Sequence, residues 1–315
     1  MSHLTNPLAT VDQLYRRTST FSALPSDLQD AIFFSTQRLT QAAGLLLRLP
    51  QSVTAQANVI LARYWLDESL LAHEFSDISA ATLFLVAKLS SNPIRPRDIT
   101  NVYTYLLSRR LSGPDGDPTD YYLPEDAYAA FTTRILHLEA RILHSLGFDT
   151  HVALPHSLAV TYLQALDFCG QSSRREITRK VVAYLNTALL SPQMLYLTHQ
   201  PNALAVAAIY SAARDPEIAV NMPACAWWEV FDVDREELGF LVVGMRSLEG
   251  LVRKLQGEVE GLFGESGVIS RKQVEAELAR RGIKVNNGVG SSAAEMDEEE
   301  ALMRSLDERA EAMVE

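Results

Sequence analysis

Side chains that could do chemistry are present in this sequence, but they do not form a catalytic pattern. The chain contains no Gly-rich phosphate-binding loop, no nucleophile elbow and no HExxH zinc motif. His137 and His144 lie two turns apart on one predicted helix, too far apart to chelate one ion, and we expect both to be partly exposed. We interpret the acidic run 297–300 as a solvated tail and not as a magnesium site, because it is not embedded among apolar residues that would raise its affinity for the ion.

The remaining reactive or aromatic side chains favour packing over chemistry. Cys169 and Cys225 are too few for a disulfide scaffold or a multi-cysteine zinc site, and they fit a reducing compartment. We expect both cysteines to be buried as small apolar side chains. The pair Trp227-Trp228 is expected to place one ring in the core and to expose the other. The sequence therefore predicts no catalytic residue, no metal and no cofactor, and it favours a partner-binding protein over an enzyme.

The net charge of −11 lies mostly near the C-terminal end. Residues 1–150 carry 12 basic and 15 acidic side chains, residues 151–256 carry 9 and 10, and residues 257–315 carry 7 and 14. A nearly neutral body lacks the basic surface that a nucleic-acid backbone requires, so we expect no direct nucleic-acid binding. No apolar run is long enough to span a membrane or to act as a secretory signal, so we expect no membrane partner.

The elements that must position any site are predicted to be helices. Prolines segment the chain, and the intervals show apolar residues at helical spacing, without period-2 strands. The helix before Gly147 is the clearest: acidic residues follow Pro124, Gly147 suits the C′ position, and Phe148 can turn back onto the last turn. The stretch 112–124 is predicted to be a loop. Helices are expected near 28–49, 54–73, 77–90, 97–110, 124–146, 155–168, 174–190, 202–214, 224–231 and 235–256.

A faint internal repeat predicts the domain organisation. AATLFLVAK at 80–88 matches VAAIYSAAR at 206–214 in helical pattern, and each is followed by a proline break. The all-α chain is therefore divided into an N-terminal extension, two helical repeats and a Gly-rich, acidic tail that is partly disordered apart from a short helix near 270–281. Their bounds are 1–27, 28–150, 151–256 and 257–315.

Five segments resemble the cyclin family, and L-type cyclins in particular. They are QAAGLLLRLPQ (41–51), VAKLSSNPIRPRDITNVY (86–103), HLEARILHSLGFDTHVALPHSLAVTYLQAL (137–166), NALAVAAIYSAAR (202–214) and WWEVFDVDREEL (227–238). The resemblance implies a tandem cyclin-box fold of two five-helix repeats. It also implies a nuclear regulatory subunit of a cyclin-dependent kinase of the PITSLRE type, active in transcription and pre-mRNA splicing, with splicing or transcription factors as possible partners.

The same resemblance implies a kinase-contact site. The family's contact pair falls on Lys88 and Glu139, and Leu89, Leu143 and Phe148 would add apolar contact beside it. A carboxylate can accept from the unpaired N–H groups at the start of the kinase αC helix, and an ammonium can donate to the carbonyls just before that helix.

Some family features are missing, and other protein classes remain open. Leu89-Ser90-Ser91 replaces the apolar residue and two acids that usually follow the lysine. The MRAIL pattern of cell-cycle cyclins and the Arg/Ser-rich tail of animal L-type cyclins are absent. The alternatives are a cyclin of the K, T or C type, a DNA-binding factor of the TFIIB type with the same double fold, and a helical enzyme.

Overall fold

The computed structural model describes residues 4–18, 24–108, 122–166, 174–215, 225–258 and 268–283. Within these ranges the protein is helical and has no β-strand, so the all-α prediction is confirmed. The predicted loop 112–124 lies largely outside the described residues, as do Cys169, the run 297–300 and the rest of the acidic tail. The helices are α1 (Val11–Thr18), α2 (Ser26–Leu46), α3 (Gln51–Asp67), α4 (Phe75–Leu89), α5 (Pro96–Ser108), α6 (Glu125–Ser145), α7 (Pro155–Leu166), α8 (Arg174–Leu189), α9 (Leu195–Thr198), α10 (Pro201–Ala213), a 3-10 helix (Trp227–Phe231), α11 (Arg235–Glu258) and α12 (Arg271–Arg280).

Prolines mark the beginnings of most of the long helices. Pro25, Pro50 and Pro124 occupy the N-cap positions of α2, α3 and α6. Pro96 and Pro155 are the first residues of α5 and α7. Proline suits these positions because its missing N–H would have no intrahelical partner there. Helices α2 and α3 therefore begin two to three residues earlier than the apolar periodicity predicts.

Two groups of helices each surround a buried central helix. In the first group α4 contacts α2, α3, α5 and α6, and every residue from Phe75 to Ala87 except Asp77 is buried. In the second group α10 contacts α7, α8, α11 and the 3-10 helix, and it is almost entirely buried. The two segments of the faint internal repeat fall on α4 and α10, so the repeat reflects the shared role of a central helix.

Residues 268–283 return to the first group of helices. Ser270 forms the capping box of α12 with Gln273, which agrees with the short helix predicted near 270–281. Val274 and Leu278 are buried, and the Ile269 N–H donates to Ser35 Oγ of α2 at 3.0 Å. This part of the predicted tail is therefore packed against the body. The domain bounds 1–27, 28–150, 151–256 and 257–315 stay predictions.

Several local expectations are corrected. Cys225 is exposed, so its predicted burial is wrong: the residue lies on a bend just before the 3-10 helix, and its side chain does not reach the core. The helix predicted over 224–231 is the 3-10 helix Trp227–Phe231. Trp227 is buried and Trp228 half-buried, so only the first ring follows the prediction fully. Helix α1 and the one-turn helix α9 were not predicted.

Candidate functional site

Lys88 and Glu139 meet on the surface between α4 and α6. The Lys88 Nζ donates to Glu139 Oε1 at 2.6 Å, and no other polar partner of either side chain is found in the described part of the chain. The Lys88 side chain is 55% exposed, whereas that of Glu139 is 7% exposed. The structure therefore brings the two predicted contact residues together, with the carboxylate recessed and the ammonium open to solvent.

Local structure explains why each member lies where it does. Lys88 is in the last turn of α4, where the helix dipole favours a cation, and its Nζ lies 5.4 Å from the centre of the Phe84 ring. Glu139 directly follows the buried Leu138 on α6, so its Cα lies at the edge of the core. The contact between α4 and α6 places the carboxylate under the ammonium.

Apolar side chains flank this pair. Leu89 is 56% exposed beside Lys88, and Leu143 is half-buried one turn after Glu139. Leu136, one turn before Glu139, is 48% exposed and was not predicted. The helical spacing 136, 139 and 143 is the signal that would have found it, because residues three and four apart share a helix face.

Phe148 has an unusual backbone. Gly147 occupies C′ of α6, and the N–H groups of Gly147 and Phe148 donate to the carbonyls of His144 (3.0 Å) and Leu143 (2.8 Å), which is a Schellman motif. The predicted C′ glycine is thus confirmed. Phe148 itself has φ 62°, and its side chain does not cover the last turn, since the residue is 70% exposed.

In the second group of helices, the two positions that correspond to Lys88 and Glu139 have other partners. Arg214 and Glu249 occupy the corresponding places in the internal repeat. The Arg214 guanidinium lies over the Tyr210 ring at 5.2 Å, and Glu249 pairs with Arg253 on its own helix. The second group does pair a recessed carboxylate with a lysine, but at other positions: Lys180 Nζ of α8 donates to Asp215 Oδ2 at 3.1 Å, and the two side chains are 36% and 13% exposed.

The described residues form neither a metal site nor a membrane-spanning helix. In the described residues no three His, Cys, Asp or Glu side chains come together in a way that could hold a metal ion. His137 and His144 are exposed on α6, as predicted. None of the described helices has the length and apolar character needed to cross a bilayer.

Known proteins similar to this chain include cyclins of the L type. Cyclin-L2 of Homo sapiens is 33% identical over 264 residues, which cover 82% of this chain and 48% of that protein. Cyclin-L2 of Mus musculus is 31% identical over 92% of this chain and 54% of its own length. Cyclin-L1 of Gallus gallus is 33% identical over 69% of this chain and 39% of its own length. The chain thus spans about half the length of the curated relatives it matches, and no protein-family model matches it.

Among solved structures, a chain of the CAK complex from Chaetomium thermophilum bound to ATP-γ-S shares the fold. Its TM-score is 0.51 at 13% identity, over 91% of this chain and 81% of that chain. The paired helix groups and these relatives define the class: the chain is a cyclin with a cyclin-box fold. Over the matched residues it is a cyclin L-like protein.

Proposed function

We propose that this cyclin L-like chain is a regulatory subunit that binds and activates a cyclin-dependent kinase. The observation that supports this most directly is the recessed Glu139 carboxylate, which has the exposed Lys88 ammonium at 2.6 Å within an apolar surround. Such a polar pair fixes the orientation of a partner, while the apolar rim supplies contact area. The chain itself is not proposed to be an enzyme.

The pair can recognise the start of the kinase αC helix. An active kinase needs αC rotated inward so that its Glu pairs with the β3 Lys. Glu139 would accept from the unpaired N–H groups of the first turn of αC, and Lys88 would donate to the carbonyls that precede it. Leu89, Leu143 and Phe148 would contact the apolar face of the same helix. Because Lys88 has two further N–H donors, it can keep its bond to Glu139 while it binds the kinase.

The finer assignment follows from the likeness to L-type cyclins. We propose a kinase of the PITSLRE type that acts in transcription and pre-mRNA splicing, and a nuclear location. Splicing or transcription factors are proposed as further partners. The similarity of 31–33% to cyclins L1 and L2 supports the L type over the K, T and C types.

The experiment uses purified full-length chain and a PITSLRE-type kinase. We expect Lys88→Ala/Glu139→Ala to lose binding and activation of the kinase while circular dichroism stays unchanged. The matched control is Arg214→Ala/Glu249→Ala at the corresponding positions of the second group, which should behave as the wild type. Wild-type activation by the first variant would refute the proposed contact surface.

A DNA-binding function of the TFIIB type is the alternative. The nearly neutral charge of residues 151–256 argues against it. A gel-shift assay with duplex DNA at about 150 mM salt separates the two functions, because DNA binding would show a steep salt dependence.

A further inference from the structure

Residues 4–10 form an extended segment that is hydrogen-bonded to the connection between the two helix groups. We define the strap as residues 4–10. The Asn6 side chain bonds both backbone groups of Ala153: its Nδ2 donates to the carbonyl at 2.8 Å, and its Oδ1 accepts from the N–H at 2.7 Å. The Gln200 side chain bonds the backbone of Asn6: its Oε1 accepts from the Asn6 N–H and its Nε2 donates to the Asn6 carbonyl, both at 3.0 Å. Asn6 is 5% exposed, so its hydrogen bonds to Ala153 are buried.

Two side chains of α3 hold the same connection from the other side. Gln56 Nε2 donates to the Thr150 carbonyl at 2.9 Å, and Arg63 Nη1 donates to the His151 carbonyl at 2.7 Å. Gln56 and Arg63 are seven residues apart and therefore share one face of α3. Arg63 is only 9% exposed. Backbone groups of residues 150, 151 and 153 are thus all bound by side chains distant in sequence.

The first of these bound residues, Thr150, lies two residues after Phe148, whose backbone is strained. A bulky side chain at φ 62° costs free energy, because Cβ crowds the following carbonyl, and such a conformation persists only where the surroundings enforce it. The ring at this position is 70% exposed, so burial of the ring does not explain the strain. The strap also runs beside the end of α6, because Leu8, Ser145 and Leu146 line one cavity of about 160 Å³.

We propose that Asn6, Gln56 and Arg63 are positioning residues for the kinase-contact face: they fix residues 150–153 and thereby hold Phe148 in the left-handed conformation that presents its ring to the partner. This inference rests on the proposed function for its partner, but the conformation of Phe148 can be tested without the kinase. The N-terminal strap is therefore part of the contact machinery, although it does not touch the partner at these residues.

The test compares four chains for binding to a purified PITSLRE-type kinase: wild type, Asn6→Ala, Phe148→Ala and the double variant. We expect Asn6→Ala to raise Kd by about tenfold in the wild-type background and by less than about twofold when Phe148 is already Ala, since the two sites act through one another. Gln56→Ala should show the same coupling. Gln51→Ala is the control, because its bond to Asn186 Oδ1 at 2.9 Å also joins the two helix groups but does not touch residues 150–153.

Hydrogen exchange of the free chain provides the second readout. The Asp149 amide donates to the Leu146 carbonyl at 3.1 Å, and because this amide follows Phe148 its position depends on the left-handed φ and ψ of Phe148. Asn6→Ala should therefore speed exchange of the Asp149 amide at least about fivefold, and Gln51→Ala should not. Equal loss of affinity in both backgrounds, or unchanged exchange at the Asp149 amide, would overturn the inference. If the wild type does not bind the kinase, the proposed function fails, and the exchange rate alone decides on the positioning role.

Discussion

At the scale of single residues, the Lys88–Glu139 pair is asymmetric. Glu139 is recessed and Lys88 is exposed, so removal of the lysine leaves a desolvated carboxylate without its partner. We expect Lys88→Ala to lower the free energy of unfolding by about 1–2 kcal/mol, and Glu139→Gln by less than about 1 kcal/mol. Urea denaturation of both variants measures the difference.

Arg97→Ala is the matched control for Lys88→Ala, because it also removes the cation of an ion pair together with its side-chain contacts. Arg97 and Glu125 form a pair at 2.9 Å in which both side chains are largely exposed. Arg97→Ala should cost no more than about 0.5 kcal/mol, because exposed pairs contribute little. If Lys88→Ala and Arg97→Ala lower the free energy of unfolding equally, the burial of the Glu139 carboxylate has no effect on stability.

Substitution of Phe148 by asparagine should change stability and kinase binding in opposite directions. Asparagine tolerates a left-handed backbone far better than phenylalanine, and the exposed ring contributes little burial. We expect Phe148→Asn to stabilise the free chain by about 0.5–1 kcal/mol while it weakens kinase binding. Thermal denaturation and a binding isotherm measure the two effects.

Phe148→Ala separates ring from backbone. Alanine also removes the ring but keeps the left-handed penalty, so it should weaken kinase binding without the gain in stability. The interpretation is wrong if alanine and asparagine at this position give equal stabilities.

At the scale of elements, the long helices were predictable, whereas the short helices α1 and α9 and the extended strap were not. Proline positions and apolar periodicity locate α4 and α6, and hence place Lys88 at a helix end and Glu139 in a helix middle. The strap has no periodicity, and Asn6 finds Ala153 only through the tertiary fold, 147 residues away. The exposure of Cys225 was missed for a related reason, because a residue type alone does not define whether a bend faces the core.

Helix α12 belongs energetically to the first helix group. Its buried Val274 and Leu278 pack into the common core, and Arg281 Nη1 donates to Asp27 Oδ2 at 2.7 Å. We expect removal of residues 268–315 to lower the free energy of unfolding by about 2–5 kcal/mol, because several apolar side chains and their partners become exposed. Chemical denaturation measures this loss.

The shorter truncation is the control for that experiment. Removal of residues 285–315 leaves α12 in place and should change neither stability nor kinase affinity. A large loss of affinity in the shorter chain would instead assign residues 285–315 to the interface.

At the scale of the whole molecule, connections at both ends of the chain join the two helix groups. The strap links α3 to the start of α10 through Asn6 and Gln200, and the segment after α11 returns to α2 through Ile269. Gln51 and Asn186 add a bond between α3 and α8. These contacts involve different helices of both groups, so a change that destabilises one group is transmitted to the other, and we expect the protein to unfold in one cooperative transition.

Because the two helix groups are coupled, protonation of a buried histidine in either group should lower the stability of the whole fold. Burial lowers the pKa of His73, His156 and His199, which lie in different parts of the molecule; Arg141 adds to the effect at His73, whereas a bond to Asn186 opposes it at His156. A histidine whose pKa is lower in the folded state binds fewer protons there than in the unfolded chain. Stability is therefore complete above the unfolded pKa of about 6.5 and falls as the pH drops below it.

We expect the free energy of unfolding to fall between pH 7.5 and pH 5.5, with a slope of at most about 1.4 kcal/mol per pH unit for each of the three histidines. Urea denaturation at several pH values measures that slope. His156→Gln can keep a donor for Asn186 and should flatten it, whereas substitution of the exposed His144 by Gln should not. Because the groups are coupled, the fall should appear as one shifted transition, and a low-pH curve with two separate transitions would show that the helix groups respond to acid independently.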